Sequence, residues 1–336
     1  MSATVVPAAQ DEKVDFRFID IVVNLTDPVF RGTYYRKQRH EDDLSAMLER
    51  AHSAGVESMI ITGTSLSESR QAVNLARYYT FVRTSSGLYC TIGCHPTRAA
   101  EFDTFKAGPD AYLLALDELL ASNLQGKGRP VAIDYDRLHF ATADVQQKYF
   151  RSQLSLAKKY HLPLFLHSRA AHADFVKILR EEGFWEDGGR AVGGSGGVVR
   201  SFTGSVEEVV ELMDMGLYIS VNGCSLKTEE NFKSAQAIRP DRILLETNAP
   251  WCSMTGGHAS KQHLTSIPPS LRELYFPPSA KPENLKAGKS VKGRNEPCAI
   301  GGVAWVMHKL LDIPLEETTE KAFKNTLELF HLDGIP

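Results

Sequence analysis

The sequence predicts an α/β protein folded as a single (β/α)8 barrel of the TIM type, and three observations support this prediction. Short β-branched, apolar segments alternate with longer amphipathic segments along the chain, which is the pattern of repeated strand–helix units around a parallel sheet. A polar or reactive residue stands at the end of almost every apolar segment. The 336 residues suffice for eight strands and eight helices, which typically take about 250 residues plus insertions.

The strand segments follow one another at the spacing that intervening helices require. The first unit begins with the apolar segment FRFIDIVV at Phe16, continues through an amphipathic segment at Glu41 and reaches the apolar segment ESMIITG at Glu57. The same alternation continues to the segment RILLETN. We therefore assign eight barrel strands, which begin near residues 16, 57, 87, 130, 163, 197, 217 and 242.

The predicted domain organisation is one barrel with two long loops. Residues 1–14 are expected to form a flexible tail, and residues 15–336 the barrel domain. The segment 186–197 contains six glycines in its twelve residues and is typical of a flexible connection. The segment 277–297 is rich in Pro, Gly and Lys, with five basic residues against one acidic residue between 281 and 294. It either lines a phosphate backbone or forms a solvated loop.

Composition and charge restrict the class of protein. Apolar residues make up 43% of the chain and charged residues 24%, both near the averages for globular proteins, so disordered and fibrous classes are poorly supported. The formal charge of −3 argues against a globally basic nucleic-acid binder. Contacts with phosphate would therefore be confined to local basic patches.

Cysteine usage and the N-terminal segment bear on the compartment. The five cysteines are odd in number and form no CxxC pair, so we expect reduced, mostly buried thiols. The chain begins without a basic segment followed by a long apolar one, and no run approaches the roughly 20 apolar residues that span a bilayer. We expect a cytoplasmic or nuclear protein without membrane contact.

Polar residues at the strand ends are the first candidate functional residues. The loops at the carboxyl ends of barrel strands form the active site in this fold, so side chains there are expected to converge on one mouth. A single such residue is more typical of a cap or a loop hydrogen bond, but its repetition around the barrel favours a site. The candidates are Asp20, Asn24, His95, Asp134, Asp136, His167, Arg200, Asn222 and Asn248.

Seven ordered motifs carry a family resemblance. FIDIVVNLTD, TIGCHP, DYDRLHF, PLFLHSRAAH, SFTGS, LLETNAPW and KGRNEPCAI resemble the TatD family of metal-dependent deoxyribonucleases over roughly residues 16–330. The resemblance implies an amidohydrolase-like barrel, a divalent metal such as magnesium at its mouth, and hydrolysis of DNA phosphodiesters, often from the 3′ end. DNA or another phosphate-bearing ligand is the implied partner, and the sequence identifies no protein partner.

The metal-site motifs are degenerate. The family's ligands are the Glu of GExGLD, a His after the fifth strand, a His before SFTG and the Asp of LLETD. This chain keeps only His167, since Arg200 and Asn248 replace the second His and the Asp, and the residues GExGL are missing before Asp134. Arginine stays protonated and cannot bind a metal, and an amide has no basicity near pH 7. Ala299 also replaces the His of the family motif NEPCHI.

Other carboxylates could compensate for the missing ligands. Asp134 either replaces the lost Glu or caps a loop, and Glu246 either supplies charge or keeps a structural role. One further alternative is a single metal held by His167, Asp134 and Asp20. The remaining motif residues are expected to shape the mouth or bind a phosphate-bearing substrate, and they are Asn24, His95, Arg137, Arg169, Ser201, Thr203, Asn295 and Glu296.

Two functional hypotheses follow. The first is a TatD-like metal-dependent deoxyribonuclease, by resemblance a 3′ exonuclease, that is weakened or inactive because its ligands are lost. The second is a catalytically silent barrel that binds nucleic acid, phosphate or a protein partner. The resemblance favours the first as a family and the ligand losses favour the second as an activity, because effects within one catalytic constellation are large and not additive.

Overall fold

The computed structural model describes residues 16–82, 87–123, 133–134 and 137–332, so the expected tail at 1–14 lies outside the described residues. All eight expected barrel strands are present. Their bounds are β1 Phe18–Val23, β2 Val56–Ile61, β3 Gly87–Cys90, β4 Ile133–Asp134, β5 Leu164–Leu166, β6 Gly197–Val199, β7 Tyr218–Val221 and β8 Ile243–Leu245.

Among the described residues, the barrel strands run parallel in three hydrogen-bonded groups. β1 pairs with β2 and β2 with β3, while β5, β6, β7 and β8 pair in chain order. β4 pairs with Ser168–Arg169, immediately beyond β5. A bridge between Val23 and Ala249 joins the end of β8 to β1. The predicted (β/α)8 barrel is therefore confirmed in its strand order and direction.

Helices surround the strands, and most of them present an apolar stripe to the sheet and a polar face to solvent; α11 is buried on nearly all sides and α9 buries no residue. Their ends carry recognisable signals: Ser205 and Glu208, for example, form a capping box at the start of one of them. The helices are α1 Leu44–Ser53, α2 Leu66–Val82, α3 Ala100–Thr104, α4 Pro109–Ala121, α5 Ala143–Tyr160, α6 His172–Glu181, α7 Val206–Asp214, α8 Glu229–Gln236, α9 Lys261–Leu264, α10 Pro269–Tyr275, α11 Ile300–Leu311 and α12 Leu315–Phe330.

Helix α12 covers the end of the barrel opposite the candidate mouth. Asn325 donates to the carbonyl oxygens of Pro240 and Ile243, at 3.0 Å each, at the start of β8. The guanidinium of Arg17, just before β1, lies 4.4 Å from the ring centre of Phe323. Apolar side chains of α12 extend the barrel core. Helix α12 therefore lies at the end away from the polar strand ends.

The glycine-rich segment 186–197, expected to be a flexible connection, contains a run of 3-10 turns. Asp187–Val192 forms 3-10 turns, with Gly188 and Gly189 at φ of 61° and 80°. The backbone of Gly188 donates to Met215 at 2.8 Å. A Cβ at Gly188 would lie 2.7 Å from the Cα of Gly196. These glycines thus permit positive φ and close backbone packing.

The segment 277–297 is irregular apart from short elements. Ser279–Ala280 and Ser290–Val291 form a two-stranded pair, and Pro282–Asn284 a single 3-10 turn. Within the described ranges no single helix is long and apolar enough to cross a membrane. Pro297–Leu311 and Leu315–Phe330 meet that criterion only as a pair, across a bend of 112°.

Candidate active site at the barrel mouth

Two asparagines join the first and last strands across the mouth. The backbone N–H of Asn248 donates to Val22 at 2.9 Å, and that of Asn24 donates to Ala249 at 2.8 Å. Their side chains then meet, because the amide nitrogen of Asn24 donates to the amide oxygen of Asn248 at 3.0 Å. Asn248 has a φ of 53°, which asparagine tolerates better than most residues. The pair forms a neutral wall where the family places an acid.

Glu246 is the centre of a buried polar cluster below Asn248. Its carboxylate accepts hydrogen bonds from Ser201 at 2.6 Å, from Ser220 at 2.9 Å and from Asn222. Burial raises the pKa of Glu246, and these hydrogen bonds and the charge of Arg200 oppose the rise. Because its oxygens are already used by neighbouring donors, we assign Glu246 a structural role.

Asp20 is also fully buried and is held by the backbone. Its carboxylate accepts from the N–H of Thr247 at 2.9 Å and of Val22 at 3.2 Å, and from the hydroxyl of Thr247. Burial raises the pKa of Asp20 to about 8. These bonds fix β1 to β8 beneath the mouth.

His95, His167 and Arg200 line the opposite side of the mouth. The ring centres of His95 and His167 lie 5.5 Å apart, and the Nδ1 of His167 lies 3.4 Å from the carbonyl oxygen of Arg200. The guanidinium of Arg200 stands 5.6 Å from the ring centre of Phe165. Burial lowers the pKa of His95 well below its usual range, and the charge of Arg200 lowers it further.

His95 is held as a neutral imidazole. The backbone N–H of Thr97 donates to its Nδ1 at 3.3 Å, and the Thr97 hydroxyl lies 2.9 Å from the same atom. An Nδ1 that accepts a hydrogen bond carries no proton, which agrees with the lowered pKa. His95 therefore adds polarity to the mouth without adding charge.

The described donor set does not fit a two-metal centre. The motifs retain one ligand, His167, and the charge of Arg200 acts on the adjacent His95. A fixed positive charge near these imidazoles repels a metal ion. Among the described residues, no three His, Cys, Asp or Glu side chains come together as a metal site would require. The side chain of Asp134 and the whole of Asp136 lie outside the described residues.

The other predicted site residues divide into two groups. Asn295 donates its side chain to Thr247 at 2.9 Å, and Glu296 pairs with Arg50 and Arg294 at 2.8 Å each. Both are buried and hold the loop after β8, so we assign them a framework role in place of the expected ligand contact. Arg137 and Arg169 are exposed, Thr203 is half-buried, and Ala299 is buried at the start of α11.

A close thiol pair was not identified from the sequence, since its members are separated by 28 positions. The sulfur atoms of Cys224 and Cys252 lie 2.8 Å apart, and the amide nitrogen of Asn248 lies 3.5 Å from the sulfur of Cys252. A hydrogen bond from Cys252 lowers the pKa of Cys224 to about 7. All five cysteines are free; Cys90, Cys94 and Cys298 are buried and this pair is half-buried.

A parallel β/α barrel with its polar residues gathered at the carboxyl strand ends defines a TIM-barrel protein, and its similarity to solved structures places it in the amidohydrolase-like class. Solved structures agree. An uncharacterized amidohydrolase from Saccharomyces cerevisiae superimposes with a TM-score of 0.83 at 33% identity, covering 94% of this chain and 100% of that one. A TatD-family hydrolase from Entamoeba histolytica gives 0.82 at 30% identity, covering 94% and 98%.

Sequence comparison gives the particular family. Residues 19–331 match the family model described as TatD related DNase. The Deoxyribonuclease Tat-D of Schizosaccharomyces pombe is 44% identical over 318 residues, which cover 93% of this chain and 95% of the relative. The 3′-5′ ssDNA/RNA exonuclease TatD of Erwinia tasmaniensis is 34% identical over 237 residues, which cover 69% and 79%. The chain belongs to the TatD family of deoxyribonucleases.

Proposed function

We propose that this member of the TatD family binds the phosphate of a nucleic-acid strand at its mouth and hydrolyses phosphodiesters weakly or not at all. The observation behind the proposal is the position of Arg200, a buried residue whose charge lowers the pKa of His95 and whose guanidinium lies 5.6 Å from the ring centre of Phe165. The chain would thus retain binding of nucleic acid, the family's substrate class, without efficient phosphodiester hydrolysis.

Arg200 supplies the positive charge that the mouth needs to attract an anion. Guanidinium groups recognise phosphate through paired N–H donors. Arg137 and Arg169 are exposed nearby on the segments that follow β4 and β5. His95 stays neutral and the Asn24–Asn248 pair carries no charge, so phosphate meets no anionic side chain from these residues.

The same arrangement opposes hydrolysis. Attack on a phosphodiester requires a deprotonated water, and a metal ion or a base normally provides it. The amide of Asn248 cannot accept that proton, and Glu246 is already engaged by Ser201, Ser220 and Asn222. The TatD family is generally metal-dependent, but we propose that this chain binds magnesium, manganese and zinc weakly, because Arg200 occupies a ligand position.

Trimming of a 5′-labelled single-stranded oligonucleotide tests the hydrolysis half of the proposal. We expect the wild type with magnesium or manganese to degrade DNA no faster than the variant His167→Ala, with a commercial 3′ exonuclease as the assay control. Elemental analysis after incubation with each metal should find substoichiometric binding. Robust magnesium-dependent trimming that His167→Ala abolishes would show that a substitute ligand completes the site.

Binding of thymidine monophosphate tests the anion half. Arg200→Gln should weaken binding about tenfold or more, because a hydrogen bond to a charged group contributes about 1.5–3 kcal/mol. The matched variant Arg200→Lys keeps the charge and should lose less. Equal affinity of the wild type and Arg200→Gln would refute the anion site.

A further inference from the structure

A groove lies beside the mouth and is not explained by the barrel chemistry. Its volume is about 520 Å³, and its walls include Tyr34, Tyr35, Arg36, Pro250, Trp251 and Lys292. These residues come from three separate loops: the hairpin after β1, the segment after β8 and the basic segment 277–297. Three loops therefore build one concave surface.

Backbone hydrogen bonds connect two groove-lining residues to the two asparagines of the mouth. The N–H of Trp251 donates to the carbonyl oxygen of Asn248 at 2.9 Å, and the N–H of Asp27 donates to that of Asn24 at 2.9 Å. Both asparagines belong to the neutral wall of the mouth. The groove and the mouth are therefore neighbouring features of the same end of the barrel.

The hairpin that presents Tyr35 is strained. Thr33 pairs with Gln38 and Tyr34 with Lys37, which leaves Tyr35 and Arg36 as a two-residue turn with φ of 50° and 62°. Such turns favour Asn-Gly, and bulky residues at positive φ are outliers. Tyr35 is nevertheless 96% exposed, so packing does not repay the strain. Strained backbone around an unpacked aromatic ring points to a binding role.

The chain holds this turn rigidly in place. The side chain of Gln38 donates to the carbonyl oxygen of Arg31 at 2.8 Å, and the hydroxyl of Thr33 lies 2.9 Å from the side-chain oxygen of Gln38. An ion pair of 3.4 Å between Arg39 and Glu283 ties the hairpin to the basic segment. These contacts stabilise the hairpin that exposes Tyr35 to solvent.

The charge around the aromatic rings is positive. Arg36 and Lys292 are exposed, and among the described residues neither takes part in an ion pair. One carboxylate, that of Asp27, also lines the groove and accepts from the N–H of Val29 at 3.0 Å, whereas the charge of Glu283 is paired with that of Arg39. The basic segment adds further exposed cations, which are Lys281, Lys286 and Lys289.

We propose that this groove binds single-stranded nucleic acid, with bases stacking on Tyr35 and Trp251 and phosphates contacting Arg36 and Lys292; this inference rests on the proposed function of the mouth. Exposed aromatic rings between cations recognise single strands in a sequence-tolerant way, because every base has a stacking face. Trp251 is 57% exposed. A duplex hides its base faces, so the groove selects single strands.

Fluorescence anisotropy with labelled oligothymidylate tests the aromatic contacts. Tyr35→Ala and Trp251→Ala should each weaken binding about 5- to 100-fold, the usual range for loss of one stacked base. The control variants Tyr78→Ala and Trp185→Ala remove exposed rings outside the groove, which are 62% and 54% exposed, and should bind as the wild type does. Lys292→Gln should reduce the salt dependence of binding by about 0.7 in the log–log slope.

A turn variant separates binding from folding. Asn and Gly suit the positive φ of the turn, so Tyr35→Asn combined with Arg36→Gly should raise the midpoint of thermal unfolding while it weakens oligothymidylate binding. Loss of affinity in a more stable protein cannot result from misfolding. If this variant were more stable and bound oligothymidylate as tightly as the wild type, the proposal that the groove binds single strands would be overturned.

Thymidine monophosphate distinguishes failure of the groove from failure of the mouth, because one nucleotide reports on Arg200 alone. Arg200→Gln could weaken the binding of both thymidine monophosphate and oligothymidylate while the groove variants bind oligothymidylate normally. That result would refute the proposed role of the groove and leave the proposed function standing. If the groove variants lose oligothymidylate while thymidine monophosphate never binds, the groove stands and the proposed anion site fails. Absence of any binding of single strands at low salt overturns the groove.

Discussion

The side-chain amide of Asn24 donates to the amide oxygen of Asn248 at 3.0 Å, which connects the first strand to the last across the mouth. The nitrogen of the same Asn248 amide points toward Ser201 and Cys252, at 3.4 and 3.5 Å. An amide satisfies both sides because it accepts and donates, whereas a carboxylate only accepts. The amide of Asn248 therefore suits the donor and the acceptors around it. Restoring the family's metal ligands at this site must therefore change other residues as well.

Restoring the family's metal ligands one at a time should recover metal binding before it recovers nuclease activity. Asn248→Asp alone returns one ligand and a base, but Arg200 still repels the cation, so little activity should appear. Adding Arg200→His removes that charge and supplies an imidazole, and calorimetry should then detect manganese binding. Only insertion of GExGL before Asp134 returns the carboxylate that bridges two metals, so efficient nuclease activity should require all three changes.

The combined repair should exceed the sum of its steps, because residues of one constellation interact. The control inserts GAxGL, which restores loop length without the carboxylate and should leave turnover low. Strong nuclease activity from Asn248→Asp alone would mean that the present mouth already binds metal, and the proposal of a weak or silent site would then be wrong.

Asp20 should impose a measurable pH dependence on stability. Burial raises its pKa to about 8, against about 3.9 in an unfolded chain. The native state thus binds a proton that the unfolded state releases. The stabilisation that this proton gives the native state is fully present below about pH 4 and is lost as pH rises through about 8. Asp20→Asn cannot lose that proton, and its stability relative to the wild type should rise between about pH 5 and about pH 8.

Urea unfolding of both proteins at several pH values measures this difference. The control Asp241→Asn changes an exposed carboxylate and should give a relative stability that varies little over the same range. A constant difference between wild type and Asp20→Asn across the range would indicate that Asp20 is ionised in the native state.

The framework beneath the groove should depend on Arg294. Its buried guanidinium donates to Asp43 at 2.6 and 2.7 Å and to Glu296 at 2.8 Å. Arg294→Met should destabilise the protein by about 3–5 kcal/mol, because two carboxylates lose a buried partner. Arg239→Ala breaks an exposed pair with Asp214 and should cost less than about 1 kcal/mol. If urea unfolding showed comparable losses of stability for Arg294→Met and Arg239→Ala, the framework role of Arg294 would be contradicted.

Cys224 should be the most reactive thiol. Its pKa is lowered to about 7, first by the hydrogen bond from Cys252, so its alkylation by iodoacetamide should increase as pH rises through about 7. Burial raises the pKa of Cys90 and Cys94 to about 12, and both should stay unmodified. Cys252→Ala removes the donor and should shift the profile of Cys224 to higher pH. Peptide mass spectrometry measures each site, and an unchanged profile in Cys252→Ala would contradict the assignment.

Much of the mouth could be predicted from the sequence. Parallel strands direct their carboxyl ends to one side, so residues that follow successive strands must converge there. Asn24 lies against Asn248, and His95 lies near His167, whose Nδ1 is 3.4 Å from the carbonyl oxygen of Arg200. The replacement of ligands by Arg200 and Asn248 was also visible, because the chemistry of a guanidinium or an amide does not depend on the fold.

Other features depended on distances that no sequence pattern contains. The sequence did not distinguish ligand contact from framework roles for Asn295 and Glu296, because a polar side chain at a strand end looks the same whether it faces solvent or a buried arginine. The basic segment 277–297 also proved heterogeneous, since Arg294 is buried against Asp43 whereas Lys292 is exposed. Burial and partner choice decide such cases, and both arise from packing.

The sequence by itself determined the barrel, its strand order, the family and the loss of ligand chemistry, because periodicity and side-chain type are local properties of the chain. Only the tertiary structure decided that Glu246 is held by three donors, that Cys224 meets Cys252, and that Tyr35 and Trp251 face one groove. Each of these depends on residues distant in sequence, whose approach is set by the closing of β8 against β1 and by the packing of the loops that follow them.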